Sequence, residues 1–512
     1  MGFYNAKTKD SFMLSIIDSG CLQGIEALPI QVEVNTGERG ELRWVMVGLP
    51  DAAVKESQNR VFSALGNCGY ALPISRTTIN LAPGNLRKEG PLYDLPIALA
   101  IISATQQAHF PHANEFLVAG ELSLSGELRS IPGGFNLALL AKKLNKRGLI
   151  LPLESASSAA FVEGIEVFGA KHLRECVDFL RGTGSLTPIQ KTISNQEVEI
   201  EHDFSAIHGQ RILKRAVEIA VAGNHNLLMM GPPGCGKSMI AKCIPDLLPT
   251  PTHEEWLEIL KIQSACGLDI DLSHKRRPFR SPHHNVSDAG LIGGGIIPQP
   301  GEISLAHHGV LFLDELPEFK RSVLEMLRQP LENGEVTIVR SNGKLTFPCK
   351  TLCIAAMNPC PCGYYGNRQR KCICSQNQIQ QYRSRLSGPL LDRFDLQLEV
   401  QPVELSAFNK SKPEESSAVV KARISEARKL QINRFGTYNA HLSAKQLQQC
   451  HCSQLDLAWL QQACQQLQLS ARAYHKVLKI AQTIADIDQD PTIQQKHMME
   501  AMQYRCFDRA WR

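Results

Sequence analysis

The sequence predicts an α/β protein with a parallel-sheet core in the middle of the chain. A mixed α+β unit precedes this core, and a helical unit follows it. Three observations favour that order. Short apolar runs that end in a glycine or a polar residue recur between residues 226 and 400, and such runs are typical of buried parallel strands. Residues 31–151 mix alternating and helical patterns, whereas residues after 414 are almost continuously helical in pattern.

The most informative motif lies between the apolar run 226–230 and the helix-compatible run 239–244. It matches the phosphate-loop pattern G-x-x-x-x-G-K-[ST] at every fixed position. Its glycines allow backbone N–H groups to surround phosphate oxygens, and the helix N-terminus favours negative charge. We expect Lys237 to reach the β- and γ-phosphates of ATP and Ser238 to bind Mg²⁺. The alternative is a chance glycine-rich turn. The candidate ATP-binding residues are Gly231, Pro232, Pro233, Gly234, Cys235, Gly236, Lys237 and Ser238.

Two acidic residues, Asp314 and Glu315, follow the apolar run 310–313. Four apolar residues predict a central parallel strand. At the end of such a strand, Asp314 would complete the Mg²⁺ shell, and Glu315 would act as general base on the attacking water. The alternative is a pair of solvated carboxylates that cap the next helix.

A third apolar run, 351–357, ends at Asn358. We expect this amide beside the γ-phosphate, where it would orient the water without adding charge. The alternative is an asparagine that starts a turn before Pro359.

Two arginines are candidates for a role in hydrolysis. Arg393 follows an apolar patch and precedes the run 396–400, and we interpret it as an arginine finger supplied to a neighbouring subunit. The alternative is a surface ion pair with Asp392 or Asp395. Arg472 opens a long helical pattern and would reach back to the nucleotide from a helical lid; alternatively, it is a surface residue of a first helical turn.

Composition sets limits on the class of protein. The chain has 512 residues, 43% of them apolar and 21% charged, which is ordinary for globular protein and predicts two to four domains. The net charge of +5 is compatible with nucleic-acid binding but does not argue for it. No apolar run approaches the roughly 20 residues of a membrane span, and residues 1–10 lack a secretory pattern. We therefore expect a cytoplasmic protein with no membrane partner.

The chain has 16 cysteines, and in the reducing compartment expected for an ATP-using chain they should not form disulfides. Four of them cluster in sequence as two C-x-C pairs, Cys360 with Cys362 and Cys372 with Cys374. Four thiolates in a short loop can form a tetrahedral zinc site, which would be structural because no position is left for water. The alternative is a reduced loop without metal.

Four segments are predicted along the chain: an N-terminal domain at 1–182, a polar linker at 183–200, the core at 201–403 and the helical region at 404–512. Residues 334–347 alternate, turn at Asn342 and Gly343, and alternate again, which predicts a β-hairpin. Arg340 and Lys344 near its tip are candidates for gripping DNA phosphates. The alternative is a hairpin that packs on a neighbouring subunit.

Together, these motifs resemble the magnesium-chelatase-like family of AAA+ ATPases, in the helix-2-insert group. The resemblance covers nearly the whole chain, and its most specific segments are 231–238, 279–284, 313–319, 358–364 and 469–475. It implies a P-loop AAA+ core with a helix-2 insert, a hairpin before the Asn358 strand, and a helical C-terminal lid of the magnesium-chelatase type. It also implies a hexameric ring with ATP at the subunit interfaces. A family member is understood to act as a DNA motor for branch migration during natural transformation. The implied partners are single-stranded and branched DNA.

The N-terminal unit is similar to the proteolytic domain of Lon, which has a ribosomal S5-like fold. In Lon, a serine nucleophile follows a Gly-Pro pair, but Leu92 follows Gly90-Pro91 here. The lysine base follows a glycine-rich segment in Lon, whereas Asn136 follows 131–135 here. Since an acyl-enzyme needs an activated hydroxyl, the resemblance implies a scaffold without proteolytic activity, used for oligomer contacts or DNA binding.

Two other functions remain open. One is the motor subunit of a chelatase that inserts Mg²⁺ or Co²⁺ into a tetrapyrrole. The added N-terminal unit argues against it, because dedicated chelatase motors are not expected to carry one. The other is an ATP-driven protein remodeller, whose pore loop would favour an aromatic or apolar tip rather than the polar segment 340–344.

Overall fold

A computed structural model describes residues 13–38, 43–191, 201–295, 298–340, 343–367, 370–402, 414–505 and 507. The chain divides into two compact units. The first comprises residues 1–195 and 260–274, and the second comprises 196–259 and 275–512. Within the described ranges, no helix combines the length and the apolar character that a membrane crossing requires.

The described part of the first unit contains three sheets, the smallest of which is the antiparallel pair β6 and β7, together with several helices. Strands β1, β2, β4 and β3 form a four-stranded sheet in that order, and β5, β8 and β9 form a parallel three-stranded sheet. Its elements are β1 (Met13–Gln23), β2 (Glu26–Glu38), β3 (Trp44–Val47), α1 (Ala52–Asn67), β4 (Arg76–Ala82), α2 (Asp94–Ala104), β5 (Phe116–Val118), β6 (Glu121–Leu122), β7 (Leu128–Arg129), α3 (Gly134–Lys143), β8 (Gly148–Pro152), α4 (Leu153–Ala159), β9 (Glu166–Ala170) and α5 (Leu173–Arg181).

Residues 260–274 join the first unit, although the predicted boundaries had placed them in the core. Backbone bonds explain this: Gly133 N–H donates to Ser264 O at 2.8 Å, and the Asn136 side-chain amide donates to Lys261 O at 3.0 Å. The first part of the predicted linker is attached to the first unit, because Ile189 N–H donates to Val167 O of β9 at 2.8 Å. The rest of that linker, residues 192–200, lies outside the described residues.

The second unit carries the phosphate-loop motif and the C-terminal helices. Its elements are α6 (Arg211–Gly223), β10 (Leu227–Met230), α7 (Lys237–Leu247), α8 (His253–Ala265, whose last residues belong to the first unit), β11 (Phe279–Arg280), α9 (Asp288–Ile292), β12 (Gly293–Gly294), β13 (Gln299–Pro300), α10 (Glu302–Leu305), β14 (Val310–Leu313), α11 (Arg321–Met326), α12 (Arg328–Asn333), β15 (Glu335–Arg340), β16 (Gly343–Pro348), β17 (Leu352–Met357), α13 (Gln376–Arg383), α14 (Gly388–Leu391), β18 (Leu396–Glu399), α15 (Ser417–Phe435), α16 (Ala444–Gln448), α17 (Gln454–Gln466), α18 (Ala471–Ile487) and α19 (Gln495–Gln503).

A five-stranded parallel sheet in the order β11-β14-β17-β10-β18 organises the second unit. Every residue of β10, β14 and β17 is buried, as their continuous apolar sequences predict. Met230 pairs with Met357, and Leu313 pairs with Ala355. This register brings the carboxyl ends of the three strands together, so the loops that follow them meet at one end of the sheet.

The C-terminal helices share a core with the sheet. Apolar residues of α15 and α18, among them Ile424, Val477 and Ile484, are buried in the same cluster as Val217 of α6 and Leu227 of β10. Arg428 of α15 is also buried and donates to Val221 O at 2.7 Å and 3.0 Å. These helices are therefore integral to the second unit and do not form a separate fold.

Candidate active site

The segment 231–238 links β10 to α7 as a tight loop with two residues in the left-handed region. Gly234 has φ +78° and Gly236 has φ +89°, conformations that L side chains rarely adopt. A Cβ on Gly231 would lie 2.6 Å from Val400 O, so this position also requires glycine. These glycines give the loop the shape that a phosphate-binding backbone requires.

The Lys237 ammonium lies inside this loop. Its Nζ donates to Gly231 O at 2.7 Å and to Pro232 O at 3.0 Å, and the side chain is buried. It also lies 3.5 Å from Asn358 Oδ1, at the end of β17. Lys237 and Asn358 thus face the same space, where an ammonium and an amide can contact a phosphoryl group from two sides.

The acidic pair lies beside the first turn of α7. Ser238 Oγ donates to Asp314 Oδ2 at 2.7 Å, so the hydroxyl and the carboxylate can share one Mg²⁺ ion. Glu315 N–H donates to Asp314 Oδ1 at 2.9 Å, and Glu315 itself adopts a left-handed backbone with φ +51°. A left-handed backbone is strained for a residue other than glycine, and the Glu315 side chain is about half exposed.

His284 is a neighbour of this site that the sequence analysis did not assign. Its Nδ1 lies 3.3 Å from Glu315 Oε2. The segment 279–284 is among the specific motifs of the sequence, but nothing in the sequence links it to Glu315. The contact depends on the position of β11 next to β14. His284 can restrain the carboxylate or receive a proton from it.

Arg393 and Arg472 lie at the opposite end of the sheet from the phosphate loop. The Asn226 side-chain amide, just before β10, donates to Arg393 O at 3.1 Å. Arg472 is 74% exposed, and its Nη1 lies 3.8 Å from Asp392 Oδ2. Lys476 of α18 donates to Asp392 O, so α18 begins beside α14 at this end of the sheet. The role of Arg472 at a nucleotide therefore stays a prediction.

Arg393 pairs with neither of the aspartates considered as partners. Its Nη2 donates to Glu332, while its Nε is buried and has no hydrogen-bond partner among the described residues. Asp395 is already engaged, at 2.9 Å from Lys476 Nζ and 3.2 Å from His225 Nδ1. Burial raises the pKa of Asp395, but the Lys476 ammonium and His225 outweigh it and hold the pKa well below the usual range. Arg393 therefore forms its ion pair with Glu332 and not with Asp395.

The surroundings of Arg393 form an open groove of about 540 Å³. Arg328 also lines it, and within the part of the chain that the structure describes its Nε is likewise buried without a hydrogen-bond partner. Glu325, Glu332 and Glu335 also line the groove, together with apolar and amide side chains. The groove therefore presents guanidinium groups that are only partly satisfied within this chain.

The predicted hairpin consists of β15 and β16, which pair antiparallel with Arg340 opposite Gly343 and Val339 opposite Lys344. Asn342 of the predicted turn lies outside the described residues. A Cβ on Gly294 would lie 3.7 Å from Arg340 Nη2, so the hairpin borders the glycine-rich segment of β12. Arg340 and Lys344 are both exposed, at the end of the paired strands that adjoins the predicted turn.

The four predicted cysteines come together in the segment 359–374, which we call the cysteine loop. The Sγ atoms of Cys360, Cys362, Cys372 and Cys374 all lie within 4.8 Å of one another. The Sγ–Sγ distance is 3.4 Å from Cys360 to Cys362, 3.5 Å from Cys362 to Cys372, and 3.7 Å from Cys360 to Cys372. These thiols can ligate one metal ion.

A second cluster, Glu258 with His307 and His308, is less suited to a metal. Lys350 N–H donates to His307 Nδ1 at 3.0 Å, so the proton of the neutral ring is on Nε2 and points to Glu258 Oε2 at 2.9 Å. Burial lowers the pKa of His307 to about 4, so the ring stays neutral. Its Nε2 is a donor here and has no lone pair to offer.

A phosphate loop, an adjacent acidic strand end and a parallel sheet define a P-loop ATPase of the AAA+ class. Three family models match the chain: "Magnesium chelatase, subunit ChlI" over residues 203–408, "Subunit ChlI of Mg-chelatase" over 32–155, and "Magnesium chelatase, subunit ChlI C-terminal" over 414–505. The chain belongs to the magnesium-chelatase-like AAA+ ATPase family that includes YifB and ComM.

The similarity to these relatives extends along almost the whole chain. "Uncharacterized protein YifB" of Escherichia coli K12 is 43% identical over 97% of this chain and 98% of its own length. "Competence protein ComM" of Haemophilus influenzae is 42% identical, with the same coverage. A relative in Mycobacterium tuberculosis H37Rv is 37% identical over 90% of this chain and 92% of its own length.

Proposed function

We propose that this chain is a hexameric, Mg²⁺-dependent ATPase that works as a cytoplasmic DNA motor. It would promote branch migration while incoming DNA integrates during natural transformation. The observation that carries this proposal is the 42% identity with a competence protein over 97% of the chain. Its partners would be single-stranded and branched DNA, with no membrane partner.

In the proposed ATP site, the loop residues 231–238 hold the phosphates, and Lys237 neutralises the β- and γ-phosphoryl oxygens. Ser238 and Asp314, which already share a hydrogen bond, hold Mg²⁺. Glu315 takes a proton from the attacking water, and Asn358 orients that water from the other side of Lys237. Mg²⁺ held by Ser238 and Asp314 would act as a Lewis acid on the phosphoryl group and would offset the charge that develops there.

The position of Arg393 supports action between subunits. Strand β10 has four residues, so about 13 Å of sheet separates its two ends, beyond the reach of an arginine side chain. Arg393 therefore cannot serve the phosphate loop of its own chain in this structure. A ring solves the problem, because the face that carries Arg393 and Arg472 then meets the phosphate loop of the next subunit. Arg393 lines an open groove, and a nucleotide held by the next subunit would approach it there.

The first unit is proposed to be a Lon-like scaffold without proteolytic activity. Leu92, at the position of the nucleophile, is buried, and Asn136, at the position of the base, donates to Ile25 O at 2.7 Å and to Lys261 O at 3.0 Å. An apolar residue and a structural amide do not activate a hydroxyl.

The hairpin is the proposed DNA contact, and replacing both Arg340 and Lys344 by alanine tests it. We expect weaker binding to single-stranded DNA and a log-log salt slope shallower by about 1 to 2, because two phosphate contacts are lost. Fluorescence anisotropy over a salt series measures both. The control, Lys429→Ala with Lys445→Ala, removes two exposed charges elsewhere and should change neither. Equal slopes for wild type and the hairpin variant would remove the hairpin from the proposal.

A chelatase motor is the second candidate, and the family models favour it, since all three carry that description. One of them matches residues 32–155, so the presence of the first unit does not by itself argue against this role. A chelatase motor would respond to a tetrapyrrole-binding partner and not to DNA. A protein remodeller would likewise be indifferent to DNA.

The steady-state ATPase rate with and without DNA distinguishes these functions. We expect single-stranded or forked DNA to raise the rate several-fold, because a motor couples hydrolysis to its track. Lys237→Ala, which cannot hold the phosphates, should show no activity in either condition. A rate that depends on Lys237 yet ignores DNA would keep the ATPase but reject the DNA motor.

A further inference from the structure

The cysteine loop packs directly against the phosphate loop within the second unit. A Cβ on Gly363 would lie only 2.6 Å from Pro233 Cδ and 2.8 Å from Pro233 Cγ. Tyr365 and Gly366 line the same narrow crevice as Gly231. The backbone of the cysteine loop therefore packs against one side of the phosphate loop.

We propose that a zinc ion held by Cys360, Cys362, Cys372 and Cys374 fixes the cysteine loop in this position and so keeps the phosphate loop in its ATP-binding shape. This inference rests on the proposed ATPase function and adds a metal site to it. The zinc would be a structural cofactor that the ATP site depends on, although it touches neither nucleotide nor Mg²⁺.

The sulfur geometry fits zinc. Zn–S bonds of about 2.3 Å in a tetrahedron place neighbouring sulfurs about 3.8 Å apart, and the three closest pairs here lie at 3.4–3.7 Å. The backbone N–H of Tyr365 points to Cys360 Sγ at 3.3 Å, and that of Cys374 points to Cys372 Sγ at 3.4 Å. Such N–H···S bonds are the outer shell that metal-bound thiolates require. Four thiolates this close would repel one another without a cation.

Both ends of the cysteine loop are anchored to the ATP site or to its scaffold. Cys360 follows Asn358 by two residues, and Asn358 faces Lys237 at 3.5 Å. At the other end, Cys374 precedes Ser375, which caps α13 through a capping box. Arg383 at the end of α13 donates to Pro359 O at 3.3 Å and lies 5.2 Å from the centre of the Tyr365 ring. A metal that joins the two C-x-C pairs would therefore restrict the movement of the segment that follows Asn358.

The first experiment compares metal content with nucleotide affinity. We expect purified wild-type protein to carry about one zinc per chain by elemental analysis. Cys362→Ser with Cys372→Ser should lose the zinc and bind a fluorescent, non-hydrolysable ATP analogue about 10-fold more weakly or worse. Cys450→Ser with Cys452→Ser is the matched control, since that pair belongs to no described thiol cluster, and should keep both properties.

A second pair of variants tests the contact without touching the cysteines. Gly363→Ala and Gly366→Ala carry the same backbone strain, at φ +83° and +77°, but only at Gly363 does the new Cβ meet Pro233. We expect both variants to retain zinc, and Gly363→Ala alone to weaken binding of the analogue strongly. This comparison stands even if the cysteine variant fails to fold.

Three outcomes would overturn the inference. Wild-type protein with no zinc, or with iron in its place, would reject the assigned metal. Equal affinity for the analogue in Gly363→Ala and Gly366→Ala would show that the contact of Gly363 with Pro233 does not support the phosphate loop. The proposed ATPase function would be unaffected. Failure of the wild type itself to bind the analogue would refute the ATPase function and the inference with it.

Discussion

Glu315→Gln is expected to reduce ATP turnover by about 100-fold or more while ATP remains bound. The amide keeps the size of the side chain but cannot accept a proton from water. The change leaves Lys237, the proposed phosphate contact, and Ser238 and Asp314, the proposed Mg²⁺ ligands, untouched. Single-turnover hydrolysis, together with retention of radiolabelled nucleotide after gel filtration, measures both effects. Lys237→Ala should behave differently, because it should lose the bound nucleotide as well.

The matched control for this variant is Glu318→Gln. Glu318 lies three residues further along and pairs with Arg385 at 2.8 Å, on the surface. Its replacement removes the same charge nearby and should leave turnover unchanged. If Glu315→Gln hydrolyses ATP at the wild-type rate, the base is another group, and His284, at 3.3 Å from Glu315, becomes the first residue to test.

Arg393→Ala is expected to lower turnover in the assembled ring by about 1000-fold, the smallest loss that is typical of a missing arginine finger. The fold should be preserved, because the main-chain oxygen of Arg393 holds the Asn226 contact and survives the change. Arg393→Lys should recover little, since lysine lacks the planar donors of guanidinium. Turnover at saturating ATP, with ring assembly checked by light scattering, provides the measurement.

Mixing subunits tests whether Arg393 acts on a neighbour. Arg393→Ala subunits keep an intact phosphate loop, and Lys237→Ala subunits keep an intact arginine. In a random equal mixture, about a quarter of the interfaces in a closed ring combine both, so activity should return although each variant alone is inactive. Glu332→Gln is the control for the ion pair, and it should not reduce turnover. An inactive mixture would place Arg393 in its own subunit's chemistry or outside catalysis.

Most of the ATP site follows from local sequence. The phosphate loop, Asp314 and Asn358 each come directly after a buried apolar run, and such runs form parallel strands whose carboxyl ends meet. The structure aligns those ends through the pairing of β10 and β14 with β17. The hairpin was equally predictable, because its alternation and its Asn-Gly turn are local signals. These strands could be predicted from local sequence without information on contacts between distant residues.

The contacts that the sequence did not predict all join residues far apart in the chain. His284 meets Glu315 because β11 lies beside β14, and Arg393 pairs with Glu332 because Asp395 is taken by Lys476. Residues 260–274 join the first unit through hydrogen bonds of its backbone. Local patterns contain no information on such pairings, since they depend on how elements pack.

The sequence alone determined the class of chemistry in this protein: a phosphate loop, an acidic strand end, a polar strand end and a four-cysteine loop. Only the tertiary structure decided where those groups act. It set Arg393 and Arg472 at the end of the sheet away from the phosphate loop, and it laid Gly363 of the cysteine loop on Pro233. The physical reason is that a motif is encoded by neighbouring residues, whereas its distance from another motif depends on the register and packing of the whole sheet.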